Sequence, residues 1–303
     1  MDKLSYKKGA FLAISAYLIW GLLPLYWRLL SAIPSTHILS FRIILSLFFL
    51  AIILFAGKNT SWLKFYKDRR KALLLVLSGL TISFNWGLYI WAVNNGRTIE
   101  TSLGYYINPL VSIVLGLCFF REKLKPLQII AFGLAFAGVT ILTVLTGKLP
   151  WVSINLALSF GIYGMFKKKI NLSSLESLAI ETLVAFPLGL LLLFVSFNPA
   201  GGIGFTDLQG ISYLRELPLV TMLILLLCGI VSIIPLYLFS EGAKTLPLSS
   251  LGFFQFIAPT MSFLTGFFIF RDYFPPRNFI ALGFIWAAVC VYIISLRTDR
   301  KKN

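Results

Sequence analysis

Side-chain amides and aromatic rings with one polar edge recur along this 303-residue chain inside stretches that are otherwise apolar. Asn85 and Tyr89 stand four residues apart, so a helix puts them on one face, with Trp86 beside them. Asn108 directly precedes Pro109 and follows Tyr105, while Gln255 lies four residues before Pro259. Trp20 and Tyr163 add further rings. Rings that stack and amides that hydrogen-bond suit a pocket for a small amphipathic molecule. A buried amide without a partner costs about 1–3 kcal/mol, so a wet cavity suits these groups better than lipid does. The expected substrate-binding set is therefore Trp20, Asn85, Trp86, Tyr89, Tyr105, Asn108, Tyr163 and Gln255. Tyr26 and Trp91 belong equally well to an interfacial aromatic belt.

Three charges fall within apolar stretches, at Arg42, Glu100 and Glu181, and are candidates for ion or charge coupling. Arg42 sits about 9 Å into its stretch at 1.5 Å per residue. It can snorkel to the surface, pair with Glu100, or present its guanidinium to an anion. Hydrolytic and metal chemistry find little support. His37 is the only histidine, so no HExxH zinc site can form, and neither GxSxG nor an intramembrane aspartate pair occurs. GxxxxGK[ST] is absent as well, which excludes ATP-driven pumping within this chain. No cofactor or metal is expected. Cys118, Cys228 and Cys290 lie in apolar runs without CxxC spacing and are expected to be buried, inert thiols.

The chain is 58% hydrophobic and only 13% charged, against about 25% charged in ordinary soluble domains. Its apolar blocks are long enough to cross a hydrocarbon core of about 30 Å. Membrane spans are expected near 9–28, 36–57, 72–94, 100–120, 126–145, 150–166, 177–197, 218–240, 247–270 and 276–296. The first apolar run, Gly9–Trp27, follows Lys3, Lys7 and Lys8, but its 19 residues exceed a signal-peptide core, so it is expected to be a retained span. Of the lysines and arginines, 20 fall on one side of these spans and 6 on the other, with Arg42 inside span 2. The positive-inside rule then puts both termini in the cytoplasm. The +16 net charge is accordingly a topology signal, and no nucleic-acid partner is implied.

Residues 109–139 and 259–289 align without a gap at an offset of 150, with 11 identities in 31 positions. Pro109/Pro259, Ser112/Ser262, Gly116/Gly266, Arg121/Arg271 and Gly133/Gly283 are among them. Five spans per half is an odd number, so the copies are inverted, as in secondary transporters. The expected fold is an all-α membrane protein of ten transmembrane helices in two inverted five-helix repeats, residues 1–147 and 148–303. Pro109 and Pro259 are expected to kink spans 4 and 9 at matched depth beside a midplane site. Gly133/Ala137 and Gly283/Ala287 give spans 5 and 10 small faces, expected to pack between halves or between protomers of a homodimer. Trp62, Phe65 and Tyr66 permit an interfacial helix in the basic connection 58–71, with a solvated loop as the alternative. The loop 198–217 is long enough for a lid.

WGLLPLYWR (20–28), WAVNN (91–95), ETSLGYYINP (100–109) and LSSLGFFQFIAP (248–259) resemble the RarD-type proteins of the EamA group in the drug/metabolite transporter superfamily. The resemblance runs in order from about residue 8 to 295. It implies ten helices in two inverted repeats, a bacterial inner-membrane location, and movement of small metabolites or drugs across the lipid bilayer by alternating access. It also implies a link to chloramphenicol sensitivity and a cavity lined by spans 1, 3, 4, 6, 8 and 9. Arg121 and Arg271 depart from the glycine expected there. A membrane-embedded enzyme and a non-transporting assembly subunit are the alternatives.

Overall fold

The computed structural model describes residues 3–95, 97–146, 151–170, 172–197, 203–205, 213–271 and 275–302. In chain order these form α1 (Lys3–Arg28), α2 (Ser35–Ala56), a 3₁₀ turn (Ser61–Lys67), α3 (Arg69–Asn94), α4 (Thr98–Phe120), α5 (Pro126–Thr146), α6 (Trp151–Lys169) and α7 (Ser174–Leu193). A short antiparallel pair follows, β1 (Val195–Phe197) with β2 (Ile203–Phe205). Then come α8 (Leu219–Thr245), α9 (Leu248–Gln255), α10 (Ile257–Leu264), a π-helical turn (Thr265–Phe270) and α11 (Asn278–Lys302). Among the described residues nine helical stretches are long and apolar enough to cross a membrane, α9 to the π turn counting as one. The segment not among them is α6, whose 19 residues end in Lys167, Lys168 and Lys169.

Phe11, Phe48, Phe119, Phe136 and Phe268 are each more than half exposed on the outside of the bundle. So much exposed aromatic surface does not persist in water and marks a lipid-facing surface. Polar groups turn inward and join helices. Ser46 donates to the Gly229 carbonyl at 3.1 Å, tying α2 to α8, and Ser174 meets Ser240 at 2.9 Å, tying α7 to α8. Small residues set the closest crossings, because lipid provides no hydrophobic drive for helix association. A Cβ on Gly229 would lie 2.7 Å from the Leu45 backbone, and one on Gly252 would lie 2.6 Å from the Pro109 carbonyl where α9 crosses α4.

Packing partners come in matched sets. α1 packs on α8, and α6 packs on α3; α2 meets α8, and α7 meets α3; α1 meets α9 and α10, and α6 meets α4. Three further pairs, α2 with α7, α4 with α9 and α5 with α11, join the two halves of the sequence. The turns after α4 and after the π turn also match. Arg121 (φ 52°) and Arg271 (φ 57°) are both left-handed, and the cap N–H groups bond to Gly116 and Gly266. Each arginine thus holds the backbone conformation that glycine adopts without steric cost.

Several expectations change. α5 and α11 do pack together, but through Gly138, whose Cβ would lie 2.8 Å from the Ala281 carbonyl. A Cβ on Gly133 or Gly283 would meet no neighbouring helix within 4 Å, so the predicted small faces do not join the halves. Trp62 is buried against protein in a 3₁₀ turn, so 58–71 forms no continuous interfacial helix. Cys228 is buried, whereas Cys118 and Cys290 are exposed on the bundle surface. The second proline copy breaks its helix at Phe256, while α4 continues through Pro109. Most of 198–217 and the junction at 147/148 lie outside the described residues.

Candidate substrate cavity

Where α4 crosses α9, the chain leaves a cavity of about 320 Å³. Volumes near this accommodate small molecules. Its lining comes from α1, α2, α3, α4, α6, α8, α9 and α10, and includes Trp20, Asn85, Trp86, Tyr89, Tyr105, Asn108 and Gln255. The proline ring removes a backbone donor, so Pro109 and Pro259 leave the carbonyls of Tyr105 and Gln255 without their usual helix partners. Both residues line the cavity. The Gln255 side chain accepts a bond from Ser112 at 3.2 Å, which fixes its amide across the crossing. Asn108 is 4% exposed, and its side-chain oxygen has no hydrogen-bond partner. Asn85 donates to the Leu156 carbonyl at 2.9 Å and to Ser159 at 2.8 Å, so it braces α3 on α6 as well as lining the wall.

Tyr163 stands outside the cavity. It is buried behind Phe160 and stacks on Phe239, with centroids 6.0 Å apart, and its hydroxyl reaches Glu181 at 3.1 Å. The three intramembrane charges also separate. Glu100 pairs with Arg97 at 3.1 Å near the start of α4 and does not meet Arg42. Glu181 forms a buried ion pair with Lys167 at 3.1 Å, reinforced by Ser78 and Ser177. Lys167, which the sequence pattern assigns to a connection, is therefore an interior residue. Arg42 neither snorkels nor pairs with Glu100. Its Nε donates to Ser232 at 3.0 Å, and the guanidinium lies 4.9 Å from the Trp27 ring and 5.6 Å from the Trp86 ring, at the cavity wall.

The two ends of the cavity differ. Trp27, Ser35 and Val93 line it toward the α1–α2 and α3–α4 connections. Toward the chain termini, Tyr17, Trp20, Phe160, Tyr163 and Phe239 stack into an aromatic plug with neighbouring centroids 5.5–6.2 Å apart. Beyond this plug a polar latch joins the two halves of the sequence. α9 begins after Pro247 without a side-chain cap of its own, and the Glu122 carboxylate fills that role. It accepts bonds from Leu248 N at 2.7 Å and from Ser249 N and Oγ at 2.9 and 2.7 Å. Lys168 bridges Glu122 at 3.1 Å and the Leu246 carbonyl. A Cβ on Gly116 would lie 2.6 Å from the carboxylate, so glycine provides the space.

Burial pushes the Glu122 carboxyl up, but the Ser249 and Leu248 donors and the Lys168 ammonium outweigh it and hold the group below its ordinary value of 4.5. A carboxylate with a lowered folded value stabilises above the unfolded value, and that contribution is lost as pH falls through the folded value. Glu122→Gln should therefore flatten the acid-side fall in melting temperature from about pH 5 downward, relative to the parent protein. Parallel curves for the two proteins would show that the latch contributes nothing to stability.

The architecture defines a polytopic α-helical membrane protein built around a central aromatic and amide-lined cavity. The sequence pattern of the EamA-like transporter family matches residues 7–144. YojE of Bacillus subtilis, described as an uncharacterized transporter, is 41% identical over 97% of this chain and 96% of its own length. Protein RarD of Escherichia coli (strain K12) is 35% identical over the full length of both chains. A crystal structure 16% identical in sequence superposes with a TM-score of 0.69, covering 96% of this chain and 98% of that one, which shows a shared fold. The chain belongs to the EamA-like transporter family, among its RarD-type members.

Among the polar and aromatic wall residues that the sequence pattern did not single out are Trp27, Phe160 and Ser262, while Arg42 takes the wall position that presenting its guanidinium to an anion requires. Only Ser262 carried a signal, since it matches Ser112 in the repeat. For Glu122 the available signal was an acidic residue in the first turn together with an uncapped α9.

Proposed function

We propose that this protein is a secondary carrier that moves small amphipathic metabolites or drugs across the bacterial inner membrane by alternating access. The observation that carries the reading is the cavity at the α4–α9 crossing, where rings and amides from both halves of the sequence converge. Residues 1–147 and 148–303 act as two inverted repeats of five helices. The exchanged packing partners and the paired left-handed arginines at an offset of 150 support that symmetry. Rocking one repeat against the other opens the cavity to each face in turn. In the arrangement described, the aromatic plug and the Glu122 latch close the terminus-bearing side.

Both termini lie in the cytoplasm in this reading, so the turn at Arg121 faces inward and that at Arg271 faces outward. Single cysteines at Lys123 and Arg277, in a background lacking the native cysteines, should react with an impermeant maleimide from opposite faces. Labelling of both from one face removes the inversion. For function, the purified protein is placed in liposomes with labelled amino acids, amphenicols and aromatic monocarboxylates, with and without a pH gradient. Saturable flux of at least one compound is expected, and the amphenicol arm tests the chloramphenicol link that the resemblance implies. Flux equal to that of empty liposomes for every compound favours an assembly subunit instead.

A further inference from the structure

Arg42 brings a positive charge to the cavity wall, and no carboxylate is among the lining residues. Its Nε is committed to Ser232, whose own hydroxyl donates to the Cys228 carbonyl at 2.7 Å, so the Ser232 oxygen is turned to accept. That contact orients the guanidinium plane without neutralising it. Among the described residues no aspartate or glutamate lies within ion-pair distance of Arg42. The indoles of Trp27 and Trp86 flank the guanidinium and stabilise its charge by cation–π attraction. Intramembrane charges ordinarily pair with one another or mark a ligand path. A second unmet need lies on α4, where the Asn108 side-chain oxygen is buried and lacks a donor.

We infer that Arg42 anchors the carboxylate of an organic monoanion whose apolar or aromatic body lies among Trp20, Trp86 and Tyr105, and which offers a neutral hydrogen-bond donor to Asn108. A planar carboxylate matches the forked donors of one guanidinium, and a single cation balances one negative charge better than the two of a phosphate. The cavity wall has no carboxylate to balance an ammonium, so a zwitterion or an amine is disfavoured. Ser232 is a positioning residue that sets the guanidinium plane. This deepens the carrier reading by naming the chemistry of the cargo.

Four probes share a phenol ring, which includes the donor, and differ in head-group charge. They are 3-(4-hydroxyphenyl)propanoate, its primary amide, tyrosine and tyramine. Binding to the purified full chain is read by tryptophan fluorescence and by thermal shift, and flux is read separately in liposomes. The propanoate should bind at least about tenfold more tightly than the other three. Arg42→Gln should weaken it about tenfold to a hundredfold, the range for losing a hydrogen-bonded charge partner. Arg42→Lys should keep part of the preference. If Arg42→Gln does not fold, Ser232→Ala retains the charge, loosens its aim and should weaken the propanoate several-fold without changing the order of the probes. Equal binding of the propanoate and the amide, tighter binding of tyramine, or no binding by any probe overturns the inference. Flux of the amide at the propanoate's rate overturns it while leaving the carrier reading intact. Selective binding of the propanoate without flux of any probe keeps the anion site and overturns the carrier reading.

Discussion

Lys167→Ala and Glu181→Ala should each destabilise the folded protein by about 3–5 kcal/mol, the cost of leaving a buried charge without its partner. Both side chains are almost fully enclosed, at 1% and 3% exposure, so solvent cannot take the missing partner's place. Lys167 Nζ donates to Ser177 at 2.7 Å and to the two Glu181 oxygens at 3.1 and 3.2 Å. Glu181 also accepts from Ser78 and Tyr163. The double variant Lys167→Met/Glu181→Met removes both charges together and should recover most of the loss, because replacing a buried pair with apolar side chains is often neutral or better. The hydroxyls of Ser78, Ser177 and Tyr163 lose a shared acceptor, so recovery is incomplete. Melting temperatures in detergent for the two single variants and the double variant decide it. The double variant should also keep its flux, since neither residue lines the cavity. Stable protein without flux would instead return Glu181 to the charge-coupling role expected from sequence.

The second large effect concerns the cavity. Asn108→Ala and Gln255→Ala should each cut transport per folded molecule by about tenfold or more, at one hydrogen bond to cargo or its fixed geometry per variant. Stability should change little for Asn108, whose oxygen has no partner to lose. Gln255→Ala also breaks the Ser112 bond, so it should cost about 1 kcal/mol of stability in addition. Uptake and melting temperature are measured on the same preparations. Unchanged uptake with a large fall in melting temperature for both would make these residues scaffold.

These two sites differ in how far the sequence revealed them. The cavity was legible because the membrane makes a polar residue informative: an amide beside a proline in an apolar run has few places to go. Asn85, Trp86, Asn108 and Gln255 could therefore be read without coordinates, and all four line the same space. The repeat directed attention to the two proline-bearing helices, whose crossing needs the bare Cα of Gly252. Residues whose neighbours are distant in sequence could not be read. Lys167 lies one residue beyond the expected span 150–166, and only its partners on α7, Glu181 and Ser177, hold it inside. Tyr163 was assigned to the cavity from its type and its helix, but Phe160 occupies the wall in front of it. Depth alone left three roles open for Arg42, because rise along a helix says nothing about which way a side chain turns, and its neighbours select the cavity wall. The small faces at Gly133 and Gly283 repeat correctly, yet Gly138 makes the close contact. Periodicity finds a face; the neighbouring helix decides whether it is used.

Alternating access requires that one cavity serve both faces of the membrane in turn. Ser262 lines that cavity on α10 and cysteine is nearly isosteric with serine, so Ser262→Cys in a chain without Cys118, Cys228 and Cys290 reports on access. Sealed right-side-out and inside-out vesicles are exposed to an impermeant maleimide, with and without a transported compound. Alternating access predicts labelling from both faces, with transported compound slowing the reaction at each. Labelling from one face alone, whatever compound is present, would contradict it.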